Sequence, residues 1–107
     1  MKVQLDECVP KKFKRELRGH SFLTAAEVGL AGLKNGVLLR EAEAKGFDVL
    51  LTVDNGIGYQ QNLAGRKIAM VIVHARSNRL MDLMPHAPAC LEALSTLRAG
   101  QLVHVGD

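Results

Sequence analysis

A chain of 107 residues with 48% hydrophobic and 23% charged side chains has the size and composition of one globular domain, which excludes disordered and collagen-like chains. Two cysteines, Cys8 and Cys90, stand outside any CxxC spacing, which removes the case for a disulfide framework or a structural zinc site and points to a reducing, cytoplasmic setting. The net charge of +3 is concentrated: residues 11–18 carry Lys11, Lys12, Lys14, Arg15 and Arg18 against Glu16 alone, a local +4.

Such a stretch suits a polyanion such as RNA, or else is a solvated helix face. No run approaches ~18 consecutive apolar residues, so no membrane span is expected. The opening MKVQLDE, with Lys2, Asp6 and Glu7, does not read as a signal peptide.

In chain order, residues 2–5 read as a short strand with Val3 and Leu5 on one face. Pro10 suits the first turn of a helix in which Phe13 and Leu17 lie one turn apart, and Gly19 stops it. Residues 21–23 read as a second strand. Thr24 and Glu27 have capping-box spacing and predict a short helix that ends by Gly29. Asn35 is the expected N-cap of a helix over 36–45, with Leu38, Leu39 and Ala42 inward and Gly46 as terminator. Residues 47–53, FDVLLTV, form the clearest strand, apolar enough for the middle of a parallel sheet. Residues 54–66 are a polar loop, and 68–73 a fourth strand. Ser77 or Asn78 opens a helical region interrupted at Pro85 and Pro88 and ending at Gly100, with Met81 and Met84 expected in its core. Residues 102–105 are a last strand. Alternating strands and helices predict an α/β fold with a mostly parallel sheet of about five strands.

Ligands of open parallel sheets bind outside the carboxyl ends of the strands. Asp6 and Glu7 follow the first strand, Asp54 and Asn55 the third, and His74, Arg76 and Asn78 the fourth. Carboxylates gathered on one edge repel one another unless a cation joins them, and hard oxygen donors suit Mg²⁺ or Mn²⁺. The plain alternative is that Asp6 caps the first helix and Glu7 is merely exposed. The loop 54–62 packs four side-chain amides and the only tyrosine into nine residues, with Tyr59, Gln60, Gln61 and Asn62 adjacent. Amides and an aromatic ring can hydrogen-bond and stack on unpaired bases, or simply satisfy their own loop. The four histidines share no ligand spacing. Cys8 reads as a small buried side chain close to Asp6.

Five segments, LDECVP at 5–10, KNG at 34–36 followed by Leu38-Leu39, FDVLLTVD at 47–54, YQQNL at 59–63 and SNRLMDLMP at 77–85, resemble a family of small bacterial PIN-like proteins. The likeness runs in order along essentially the whole chain. It implies a PIN-like three-layer α/β/α fold over residues 1–107 and kinship with the toxin ribonucleases of toxin–antitoxin pairs. It further implies a Mg²⁺ or Mn²⁺ site at Asp6 and Asp54, with Thr52 as the threonine of a TxD motif and Glu7 as the second acid of the opening motif. Two positions depart from the pattern. Asn35 stands where many relatives carry an acid at the start of the middle helix, with apolar Val37 next, and Gly56 and Ile57 replace the second aspartate and the phenylalanine of TxDxDF. Glu41 or Glu43 is left as the additional acid, Glu41 having the better claim.

The leading expectation is a metal-dependent endoribonuclease acting on single-stranded RNA, with a cognate antitoxin protein as partner and room for a homodimer. Asp6, Glu7 and Asp54 would hold metal, Asn35 would be a polar neighbour, and Lys11, Lys12, Lys14 and Arg15 would track the RNA backbone. The alternative is a non-catalytic PIN-like module that binds RNA or a protein partner. A receiver-type signalling domain is a distant rival, because no lysine follows the fifth strand.

Overall fold

The computed structural model of the chain describes residues 1–33, 35–53, 63 and 65–106, with residue 35 described in its backbone only. Five parallel strands, β1 (Lys2–Leu5), β2 (Ser21–Thr24), β3 (Val49–Thr52), β4 (Ala69–His74) and β5 (Leu102–Gly106), form one sheet in the order β2-β1-β3-β4-β5. The central strands are apolar on both faces because both faces are covered: all four residues of β3 are buried, as are five of the six in β4. The edge strands β2 and β5 are wetter.

Two apolar layers sandwich the sheet, making the α/β/α arrangement. On one face Phe13 and Leu17, from a 3₁₀ turn over Lys11–Glu16, join Leu83, Cys90 and Leu94 over Val3, Leu5 and Val71. Leu83 comes from helix α2 (Leu80–Leu83), and Cys90 and Leu94 from helix α3 (Ala87–Thr96); helix α1 is Asn35–Ala44. On the other face α1 lays Leu38, Leu39 and Ala42 over Leu50, Met70 and Ile72. Gly46 ends α1 at φ +84°, where its N–H reaches the Glu43 carbonyl and the Phe47 N–H reaches Ala42. That is the left-handed Schellman termination a glycine makes without Cβ strain. Gln4, on β1, is fully buried, and neither amide atom has a partner among the described residues, at a cost of about 1–3 kcal/mol.

The capping box forms as its spacing predicts. The Glu27 N–H donates to Thr24 Oγ1 at 3.1 Å and the Thr24 N–H to Glu27 Oε1 at 3.0 Å. It opens a three-residue 3₁₀ turn, Ala26–Val28, ended by Gly29 in the left-handed region. The Thr24 N–H and then its hydroxyl hold the Glu27 carboxyl below its ordinary 4.5, with Lys14 and Lys11 adding attraction. A depressed folded value gives stability that is full above the ordinary value and is lost as pH falls through the folded one. Urea unfolding from about pH 7 to about pH 3 is therefore expected to show wild type more stable than Glu27→Gln at neutral pH, the gap closing only in acid. A constant gap would mean that the charge of Glu27 contributes nothing.

Two local expectations are corrected. The segment after Pro10 is a 3₁₀ turn and not an α-helix, because Leu17 already leaves the helical region and no side chain caps the start. The helical region does break at Pro85 and Pro88, each the second residue of a new element, the 3₁₀ turn Met84–His86 and α3, where a missing N–H costs nothing. Met81 and Met84 are not core: they are 70% and 41% exposed, since the single turn of α2 points only Leu83 fully inward. Among the described residues no helix is long and apolar enough to cross a membrane.

Candidate functional site

The chain leaves β1, goes to β2 on one side, and returns to β3 on the other, so the order of strands reverses between β1 and β3. A crevice opens at the carboxyl ends of strands where such a reversal occurs. Asp6 stands there, one residue past β1, its N–H still on the Leu51 carbonyl of β3 at 3.0 Å. Its carboxylate is 9% exposed. Oδ1 accepts the Glu7 N–H at 2.8 Å, and Oδ2 accepts the Thr52 hydroxyl at 2.8 Å and the Cys8 thiol at 3.6 Å. Thr52 is delivered by register: Leu5 pairs with Leu51, so the next residue of each strand meets at the edge.

Cys8 closes a triangle, its Sγ lying 3.5 Å from Thr52 Oγ1. Burial pushes the thiol above its ordinary value; the Thr52 hydrogen bond opposes this and the Asp6 charge adds to it. The thiol thus stays protonated at neutral pH and serves Asp6 as a donor rather than a nucleophile. Cys90, in the core under α3, is pushed up to about 11 by burial alone.

Glu7 is exposed, and its Oε2 accepts the Gly32 N–H at 3.1 Å, which ties the acid to the segment leading into α1. A cleft of about 320 Å³ holds Asp6, Glu7, Pro10, Lys11 and Thr24. Of the basic stretch, Lys11 thus lies beside the acids, Lys12 and Arg15 are exposed, and Lys14 is partly neutralised by Glu27 at 3.5 Å. Asp54, Tyr59, Gln60, Gln61 and Asn62 lie outside the described residues. Asn35 opens α1, and its side chain is not described. Glu41 is half-buried six residues further along α1, about 9 Å down the axis at the usual rise. Glu43 turns to the other end of the sheet, accepting the Lys67 N–H at 2.7 Å.

Asp6 and Glu7 are therefore together, with Lys11 beside them. Among the described residues no three His, Cys, Asp or Glu side chains are gathered as metal ligands. The donors that are described fit a hard divalent ion in kind, being the carboxylate oxygens of Asp6 and Glu7, both of which line the cleft. A second cleft, of about 390 Å³, adjoins them at the ends of β3 and β4, lined by Val53, His74, Arg76 and Asn78 among others. Its residues were legible as the ones following the fourth strand, but charge density alone draws the eye to residues 11–18 instead. Comparison with protein-family models, curated proteins and solved structures finds no match for this chain.

Proposed function

We propose that this chain is a PIN-like, metal-dependent endoribonuclease that cuts single-stranded RNA, acting as the toxin of a toxin–antitoxin pair. The observation that carries the reading is the buried Asp6 carboxylate at the strand-order reversal, both of its oxygens fixed by donors and its residue lining a cleft. Asp6, Glu7 and Asp54 are the residues that would hold Mg²⁺ or Mn²⁺. The ion, when bound, supplies positive charge that acidifies a water and offsets charge on the phosphoryl group.

The chain's own residues do the positioning. Thr52, fully buried, holds Oδ2 of Asp6 in one direction. Glu7, with Oε2 accepting the Gly32 N–H, would serve as a ligand or as the base that takes a proton from the attacking water. Lys11 offers a cation to the RNA backbone in the same cleft. The water oxygen adds to phosphorus, the P–O bond to the leaving ribose oxygen breaks, and that oxygen gains a proton. Shallow clefts at a sheet edge suit unstacked nucleotides better than a duplex.

The test is single-turnover cleavage of a labelled RNA pool. Wild type with Mn²⁺ is expected to cut single strands, spare duplexes, and stop on chelation. If no RNA is cut under any metal, the non-catalytic RNA- or partner-binding module replaces this reading. The receiver reading shares the strand order with doubly wound folds.

A further inference from the structure

We propose that the cleft at the carboxyl ends of β3 and β4 receives the phosphodiester backbone of a single-stranded RNA, with Arg76 as its cation; the proposal rests on the nuclease reading above. Three observations carry it. The first is position. Thr52 pairs with Ile72 in the sheet, so Val53 and Val73, which line the cleft, stand just beyond the threonine that holds Asp6. Asp6 follows β1, the neighbour of β3, so the β3 wall of the cleft is one strand away from it and the β4 wall that carries Arg76 is two, roughly 10 Å.

The second is the state of its side chains. The walls are already committed: Asn78 donates to the Cys8 carbonyl at 3.1 Å, Ser77 to Asp82 at 2.5 Å, and His74 Nε2 shares a proton with His104 Nδ1 at 2.7 Å. Arg76 is exposed and has no carboxylate at ion-pair distance among the described residues. Walls held by these hydrogen bonds, with a guanidinium that no carboxylate among the described residues engages, suit an anion, and the guanidinium fork matches two phosphate oxygens. The Asn78 bond also fixes the β4–α2 segment to the segment carrying Asp6 and Cys8, so the two halves of the site move as one.

The third is the opposite flank. The cleft on the β2 side contains Lys11 together with Asp6 and Glu7. Lys11 and Arg76 therefore stand on either side of the acids. A polyanion laid along the sheet edge meets a cation, then the carboxylates, then a cation. Lys14, the most central charge of the basic stretch, is engaged by Glu27 instead.

The experiment is fluorescence anisotropy of a labelled single-stranded RNA of about 12 nucleotides, titrated with full-length protein in chelator across a range of salt. Arg76→Ala is expected to weaken binding about 5-fold and to reduce the salt slope by about 0.7, one phosphate contact on a single strand. Arg76→Lys is expected to recover the slope. Arg98→Ala removes the same charge ahead of β5, at the amino end of the strands, and is expected to leave both unchanged. If Arg76→Ala behaves like Arg98→Ala while wild type binds and cuts RNA, this proposal falls, the nuclease reading stands, and Arg76 is left to an acidic protein partner. If wild type binds no RNA at all, the nuclease reading falls and takes this one with it.

Discussion

Asp6→Asn is expected to lower Mn²⁺-dependent cleavage of single-stranded RNA by at least about 100-fold, because loss of even an outer partner of a metal ligand commonly costs 10–100-fold. The substitution is nearly isosteric, and the amide keeps one oxygen to accept the Glu7 N–H that now bonds Oδ1 at 2.8 Å. Its NH₂ would face Thr52, whose hydroxyl can turn to accept, so the network around β1 and β3 survives with its charge removed. The fold is therefore expected to persist, at a stability cost of about 1–3 kcal/mol. Asn35→Asp works in the other direction. It restores an acid at the start of α1, where a carboxylate also suits the helix dipole, and cleavage is expected to hold or rise. Equal cleavage by wild type and Asp6→Asn, prepared identically, would identify the activity as a contaminant.

Phe13→Ala is expected to destabilise the fold by about 3–5 kcal/mol, the usual cost of truncating a buried phenylalanine. Phe13 is fully buried, yet it sits on a 3₁₀ turn with no side-chain cap. At its two ends the Phe13 N–H reaches the Pro10 carbonyl and the Leu17 N–H the Lys14 carbonyl, at 3.0 and 3.2 Å. Burial of Phe13 and Leu17 against Val3, Leu5 and Leu83 is therefore what holds it, not helix propensity. At roughly 4–8 °C per kcal/mol, the melting temperature is expected to fall by about 12–40 °C. Val37→Ala, at a site 44% exposed, is expected to change stability by less than about 0.5 kcal/mol. A small loss for Phe13→Ala would mean that the turn contributes little to the core. The same turn carries Lys11 into the Asp6 cleft, so stability and site geometry are joined there.

The centre of the sheet was legible because burial on both faces leaves an unbroken apolar run, as in residues 49–52. The position of Asp6 was legible too, since an acid directly after a first strand stands at the ligand-binding edge of any such sheet. The Thr24–Glu27 box and the Gly46 stop were readable as local chemistry, each needing only residues three to five apart. What pairs across the sheet was not. The Asp6–Thr52–Cys8 triangle depends on the register of β1 against β3, over 40 residues apart in sequence, and single-sequence periodicity carries no register. Met81 and Met84 were misplaced because the prolines mark where the helical region breaks but not how its pieces face: one turn, a 3₁₀ turn and a ten-residue helix leave both methionines exposed. Charge counting marked residues 11–18 and gave Arg76 no weight, because an arginine that lines a cleft with no carboxylate at ion-pair distance among the described residues is a tertiary fact.

The central claim is that Asp6 holds a divalent cation. Calorimetric titration of the metal-free protein with Mn²⁺, run in parallel on Asp6→Asn, tests it without any RNA present. The account predicts saturable binding to wild type at micromolar to millimolar Mn²⁺, accompanied by a rise in melting temperature, and neither effect in Asp6→Asn. Wild type that takes up no Mn²⁺ at millimolar concentration, or an Asp6→Asn protein that binds it equally well, would contradict the claim.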